Sequence, residues 1–249
     1  PASGTQATKP SAARLSIMSW WSDLAGRRPP LSSAQTAALK AFVSMPACDQ
    51  TIEIEAQRFV VVDVESTGLN LSTDRLIAIG AVTVSNGAIQ LDQGLDVVLQ
   101  QAAPSAVDNI LIHGIDGTTQ TTGKDPAGAL LEFLAFIGNS PLVAYHAPFD
   151  RSMINKATKT YLGMTLNNPW LDLAFIAPAL LPEMAKGKQG LDDWTRAFEI
   201  VNTNRHNAVA DALATAQLLL VLISRANQEN AVSLRDLIKL EKAQQWLTR

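Results

Sequence analysis

The sequence predicts an α/β domain, a mixed central sheet flanked by helices, with a short helical extension in front of it. Three observations carry this. Apolar runs rich in β-branched residues begin near Arg58 and are joined by a short turn. From residue 126 onward, helical patterns alternate with short apolar runs. Hydrophobic residues make up 47% of the chain, enough for a sizeable core. At 249 residues the length suits one main domain plus extras rather than two full domains. Charged residues are only 17%, below the roughly 25% of an ordinary soluble domain, which argues against a disordered chain.

Taken in order, residues 1–13 are small and polar and lack an apolar run, so they read as a disordered leader rather than a signal peptide. A helical extension is expected over 14–57. Residues 15–25 (LSIMSWWSDLA) carry apolar positions at mixed helical spacing and stop at Gly26 to Pro30. A second helix should follow, capped by Ser32 or Ser33, burying Ala37, Leu39, Ala41, Phe42 and Val43 and ending by Pro46. The run FVVVDVE (59–65) suits a strand buried on both faces. Residues 75–84 form the next strand, and Ser85-Asn86-Gly87 turns it into AIQLDQGLDVVL, giving an antiparallel meander. Residues 126–137 read as a helix started by Asp125 and Pro126. Short strands are expected at 142–145 and at Trp170 to Leu173, with helices near 149–160, 174–180, 190–199 and 207–225. The main domain is thus 58–225, and an amphipathic stretch, Leu234 to Leu247, trails it in a tail over 226–249.

Composition also excludes function classes. A net charge of −3 removes a nucleic-acid binder that works by bulk positive charge, so phosphate contacts must be local. The single cysteine, Cys48, excludes a disulfide framework and a cysteine zinc site, and fits a reducing, cytoplasmic setting. The longest aliphatic run, Leu218 to Ile223, is far shorter than the about 20 residues a membrane span needs. No membrane partner is expected.

Three segments carry chemistry. Asp63 and Glu65 interrupt the apolar run that starts at Phe59, and residues two apart on a strand share a side, so two carboxylates converge. Bound divalent metal would relieve their repulsion. The bland alternative ends the strand at Val62 and leaves both acids in a solvated loop. Ser66-Thr67-Gly68-Leu69 follows, a turn whose amides and hydroxyls suit an anion cradle. Asp150 lies just beyond the strand at 142–145, where sites of open α/β sheets collect; alternatively it is only an acid favoured in a first helical turn. Asn207 reads as an N-cap, leaving His206 in the loop before it and Asp211 near the apolar face of the helix, where an unpaired carboxylate would be costly. The bland reading of His206 is an exposed polar residue.

At these segments the chain resembles the DnaQ-like 3'-5' exonucleases, the DEDDh branch of the proofreading exonucleases in the ribonuclease H-like superfamily. It matches D-x-E-x-T-G-L at Asp63 to Leu69, F-D at Phe149-Asp150 and H-x4-D at His206 to Asp211, with lesser matches at His113-Gly114-Ile115, Leu171-Asp172-Leu173 and Leu191 to Ile200. The resemblance covers about residues 58–225. It implies a three-layer ribonuclease H-like fold in which Asp63, Glu65, Asp150 and Asp211 ligate two Mg2+ or Mn2+ ions about 3.5–4 Å apart, Asp63 bridging. One ion would lower the pKa of the attacking water and the other would stabilise the leaving 3'-oxygen. His206, with an unperturbed pKa of about 6.5, would be the general base. The reaction implied is hydrolysis at the 3' end of single-stranded DNA, releasing nucleoside 5'-monophosphates, in proofreading, repair or turnover. Ser66, Thr67, Gly68, Leu69, His113, His146 and Phe149 would bind the terminal nucleotide, with the Thr67 to Leu69 backbone near its 3'-hydroxyl.

Two departures stand out: the usual Thr after the first Glu is Ser66, and the usual His-Asn pair before the second motif reads Tyr145-His146. All four ligands and the base are present. Two competing readings remain, an exoribonuclease acting on RNA ends or short oligoribonucleotides, and a non-catalytic module docking a DNA polymerase through Trp20, Trp21 or Trp246. Packing of those aromatics against the domain is the favoured alternative to docking. Asp172 either orients a site residue or ends a strand, and is left outside the site.

Overall fold

The computed structural model describes residues 30–187, 190–202 and 204–248. The expected leader and first helix, with Trp20 and Trp21, lie outside the described residues. Five strands form one sheet in the order β3-β2-β1-β4-β5. β1 (Phe59–Ser66), β2 (Leu76–Ser85) and β3 (Ala88–Val98) make the expected antiparallel meander. Its hairpin works because Asn86 and Gly87 both take positive φ, 51° and 69°, as a two-residue turn between twisted strands requires. β4 (Leu142–Ala144) pairs parallel to β1, and β5 (Trp170–Asp172) parallel to β4.

Alternation along β1 divides the core into two layers. Val60, Val62 and Val64 pack with α4 (Pro126–Ile137) and α5 (Ala147–Leu162) on one face. Phe59 and Val61 pack with α6 (Leu173–Leu180), α7 (Leu191–Ala197), α8 (Ala208–Gln228) and α9 (Leu234–Leu247) on the other. Helices cover both faces of the mixed sheet, the three-layer ribonuclease H-like arrangement. The run Leu218 to Ile223 sits inside the 21-residue α8, which is long and apolar enough to cross a membrane by length and composition. Its Ala212, Ala216, Leu219 and Leu222 are instead buried in the second core layer.

Three expectations are corrected. α1 (Ser33–Val43) forms with Ser32 as N-cap and a capping box to Gln35, but none of its residues is fully buried. Leu39 and Phe42 rest half-buried on the outside of the α4–α5 layer, while Val43 is 64% exposed, because a helix lying outside two layers has only a narrow face to bury. The final helix does not merely trail the domain. Leu234 and Leu237 of α9 are buried in the α6–α8 core layer, as is Ile54 from the segment before β1. Trp246, by contrast, is 76% exposed rather than packed away. Two short helices went unforeseen, α2 (Val107–His113) and α3 (Gly117–Thr121).

Candidate active site

β1 stays paired with β2 through Glu65, so Asp63 and Glu65 lie within the strand and not in a solvated loop. Alternation places both on the face covered by α8. Asp63 pairs with Gly80 of β2, and a Cβ on Gly80 would meet the Ala208 carbonyl carbon at 2.2 Å and the Val209 nitrogen at 2.3 Å. Only glycine lets the start of α8 lie directly on the sheet beside Asp63. Asn207 caps that helix, its side chain accepting from the Ala210 amide at 3.1 Å. Asp211 sits in the first turn so positioned. Carboxylate oxygens of Asp63, Glu65 and Asp211 therefore lie within 4.8 Å of one another.

Asp150 arrives from the first turn of α5. Amides of β1 facing β4 recur at every second residue, beginning with Val60, whose amide donates to the Pro141 carbonyl at 3.0 Å. β4 ends at Ala144, so the Val64 amide has no strand partner there and instead favours the ionised form of the Asp150 carboxyl. Asp150 stands outside the three-carboxylate group but acts on it through charge. Burial first, and then the charges of Asp150, Asp211 and Glu65, push Asp63 well above the usual carboxylate range, with Arg205 opposing. Burial, followed by the charge of Asp211, raises Glu65 to about 8. Burial also raises Asp150, against the hydrogen bonds that favour its ionised form. Among the described residues no donor reaches the carboxyl of Asp63 or Glu65. A set of hard oxygen donors, crowded and short of positive charge, suits a hard divalent cation.

The acids line a cavity of about 590 Å³ together with Ser66, Gly68, Leu69, His113, His146, Phe149, Arg205 and His206. The cavity thus gathers every candidate site residue except Thr67 and Asp150. Thr67 is turned away: its amide donates to the Arg75 carbonyl at 2.9 Å and its hydroxyl to Asp74 Oδ1 at 2.9 Å. Ser66 Oγ donates to the Gly68 carbonyl at 2.6 Å. The hydroxyls expected in an anion cradle are therefore spent on the loop itself. The Gly68 and Leu69 amides have no partner among the described residues. Gly68 has φ 158°, and a Cβ there would lie 2.6 Å from Asp74 Oδ2, so glycine is what lets the loop close on Asp74.

His113 is 4% exposed; its Nδ1 accepts from the Ile115 amide at 3.0 Å, which leaves Nε2 to donate to Ser105 Oγ at 3.3 Å. Burial lowers its pKa, keeping it neutral. Both nitrogens brace the turn after α2, so the residue offers the cavity an apolar ring edge rather than a hydrogen bond. His146 caps α5 in a left-handed conformation, φ 64°, and its amide donates to Asp172 Oδ1 at 2.9 Å. Asp172 also accepts from the Ala174 amide at 3.0 Å, so it both ends β5 and fixes the His146 turn. His206 lies at the cavity wall with its amide donating to Asp211 Oδ2 at 3.0 Å.

Sequence reasoning missed Gly80, Asn202 and Arg205. Asn202 Nδ2 donates to Asp211 Oδ1 at 2.5 Å, and Arg205 Nη1 pairs with the same oxygen. A lone glycine inside the apolar run at 76–84 was a readable sign of close backbone approach. Nothing in the residue pattern singles out Asn202 or Arg205.

Comparison with known proteins agrees with this geometry. The RNase_T family, described as exonuclease, matches residues 60–219. DNA polymerase III PolC-type from Clostridium perfringens (strain 13 / Type A) is 32% identical over 177 residues, 69% of this chain and 12% of the relative. The protein of the same name from Bacillus subtilis (strain 168) is 31% identical over 177 residues, 71% of this chain and again 12% of the relative. The chain therefore spans only about an eighth of the relatives' length. Among solved structures, E. coli Exonuclease I in complex with a dT13 oligonucleotide aligns with TM-score 0.59 and 17% identity, covering 70% of this chain and 43% of that one, a likeness of fold. With the acid cluster, the sheet order and the family match in agreement, the chain belongs to the RNase_T exonuclease family, the DnaQ-like 3'-5' exonucleases of the ribonuclease H-like superfamily.

Proposed function

We propose that the protein hydrolyses single-stranded DNA from its 3' end, releasing nucleoside 5'-monophosphates with two Mg2+ or Mn2+ ions, in proofreading, repair or turnover. The observation that carries this reading is the convergence of Asp63, Glu65 and Asp211 within 4.8 Å in a cavity that His206 also lines. Asp63, Glu65 and Asp211 would hold metal directly, and Asp150 would complete the ligand set beside them. Bound divalent cations would supply Lewis acidity for the water and the leaving oxygen. His206 takes the proton from the attacking water, since the carboxylates are committed to metal. The Gly68 and Leu69 amides face the terminal sugar, and Leu69, 84% exposed, presses with Phe149 against its base.

DNA is favoured over RNA by the relatives, which are named as DNA polymerases, and by the fold neighbour that was solved with dT13. A polymerase is accordingly the partner we propose, and residues 58–225 with α9 the catalytic unit. A cytoplasmic setting, consistent with a lone Cys48, belongs to the same reading. The test is one nuclease assay on labelled single-stranded, duplex and mismatched DNA and on RNA, with Mg2+, Mn2+ or EDTA. Mononucleotide release from single-stranded DNA that EDTA abolishes is expected. Preferential RNA cleavage would transfer the site to an exoribonuclease, absent cleavage would leave a docking module, and cleavage that survives EDTA would overturn the two-metal reading.

A further inference from the structure

The acid cluster already has one cation of its own. Arg205 Nη1 pairs with Asp211 Oδ1, while the other edge of its guanidinium grips Asp192, Nε to Oδ1 at 2.8 Å and Nη2 to Oδ2 at 3.4 Å. Among the described residues lining the cavity it is the only arginine or lysine. We infer that Arg205 is a built-in counter-cation which holds Asp211 in the metal-free protein and which a divalent ion must displace from that carboxylate in order to bind. The inference rests on the metal-binding reading of the cluster.

Three observations support it. First, guanidinium is charged at any working pH, so it cannot share a carboxylate oxygen with a metal ion by losing its proton. Like charges at hydrogen-bond distance repel, and one of them must leave. Second, the Arg205 side chain is 34% exposed, against 6% for Asp211, so the arginine is the partner free to move. Third, its two contacts to Asp192, a residue of α7 that is 56% exposed, tether it at the rim when Asp211 is given up. The released side chain keeps a partner, and exchange costs one ion pair rather than two. The His206 amide stays on Asp211 Oδ2 throughout, so the general-base loop need not move with the arginine.

Displacement makes Arg205 a competitor that weakens metal affinity and a brace that steadies the empty site. Calorimetric titration of the full chain with Mn2+ reads the first property. Arg205→Gln should bind about tenfold more tightly than wild type, equal to about 1.4 kcal/mol, and Arg205→Lys should stay closer to wild type. Thermal melting reads the second: in EDTA Arg205→Gln should melt below wild type, and metal should close the gap. The 15N–1H signal of the Arg205 side chain, assigned by its loss in Arg205→Lys, should shift on Mg2+ addition with the calorimetric midpoint. Asp63→Asn separates the two levels. Equal metal binding by Asp63→Asn and wild type would refute the metal site and this inference with it. Binding lost in Asp63→Asn, together with an unmoved Arg205 signal or no tighter binding by Arg205→Gln, would overturn the Arg205 inference alone.

Discussion

Two groups of buried and half-buried acids lie near the carboxyl ends of the parallel strands, and their partners differ. Asp172, at the end of β5, accepts from the His146 and Ala174 amides, and its own amide donates to Glu241 Oε2 at 3.3 Å. Glu241 in turn accepts from Gln245 Nε2 at 2.9 Å. Asp63 and Glu65, on β1, receive no donor among the described residues, and Asp211 draws on a single arginine, an asparagine and one amide. Burial raises the pKa of Asp63 and Glu65 and of Asp172 and Glu241 alike. A raised carboxyl is therefore no mark of function by itself. What separates the regions is hydrogen-bond supply: amide donors satisfy the β5 pair, whereas Asp63 and Glu65 of the β1 cluster are left to a cation.

The contrast can be broken by substitution. Asp63→Asn should abolish metal binding and lower hydrolysis by roughly a thousandfold, about 4 kcal/mol of transition-state stabilisation, with the fold intact by circular dichroism. Near-normal hydrolysis would erase the distinction between the two regions. Gly80→Ala should come next. Its methyl would meet the Ala208 and Val209 backbone, costing about 1–3 kcal/mol of stability as overpacking and weakening metal binding by shifting Asp211. Unchanged metal affinity would show that the close approach of α8 does not set the cluster.

Asp172→Ala probes the amide-satisfied region. Loss of a helix cap and of an acceptor for two amides should cost about 1–3 kcal/mol in urea denaturation, yet leave Mn2+ affinity within about twofold. A large loss of metal affinity would mean the two regions act as one.

The smallest effect is in pH. These acids have folded pKa values above their unfolded ones, so the native state holds more protons between the two values and stability falls as pH rises through that window. With Glu65 raised to about 8 and Glu241 to about 7, melting temperature in EDTA should decline from pH 5 to pH 8.5. Saturating Mg2+ should remove the part due to the β1 cluster and leave the part due to Glu241. Stability that rises with pH in EDTA would contradict the account.

Much of this was legible in residue order. Periodicity marks the meander, and Asp125-Pro126 and Asn207 mark the starts of α4 and α8 because caps and proline act locally. Asp63, Glu65 and Asp211 stand out as acids in apolar runs. α2 was not readable, because Val107, Leu111 and Ile112 face outward, 70%, 77% and 56% exposed, and leave no amphipathic signal. Thr67 and His113 look like ligand-binding groups in sequence, but their polar atoms are consumed by Asp74, Arg75, Ser105 and Ile115, partners no local rule supplies. The place of Asp150 depends on β4 ending short of β1, a fact of strand pairing rather than of composition.

The central claim is that the β1 carboxylates share a divalent cation. Anomalous diffraction from crystals grown with Mn2+ tests it most directly. The account predicts a manganese peak in contact with oxygens of Asp63 and Asp211, with no such peak at Asp172 and Glu241. An ordered active site in saturating Mn2+ with no peak at Asp63, or manganese bound at the Asp172 pair instead, would contradict it.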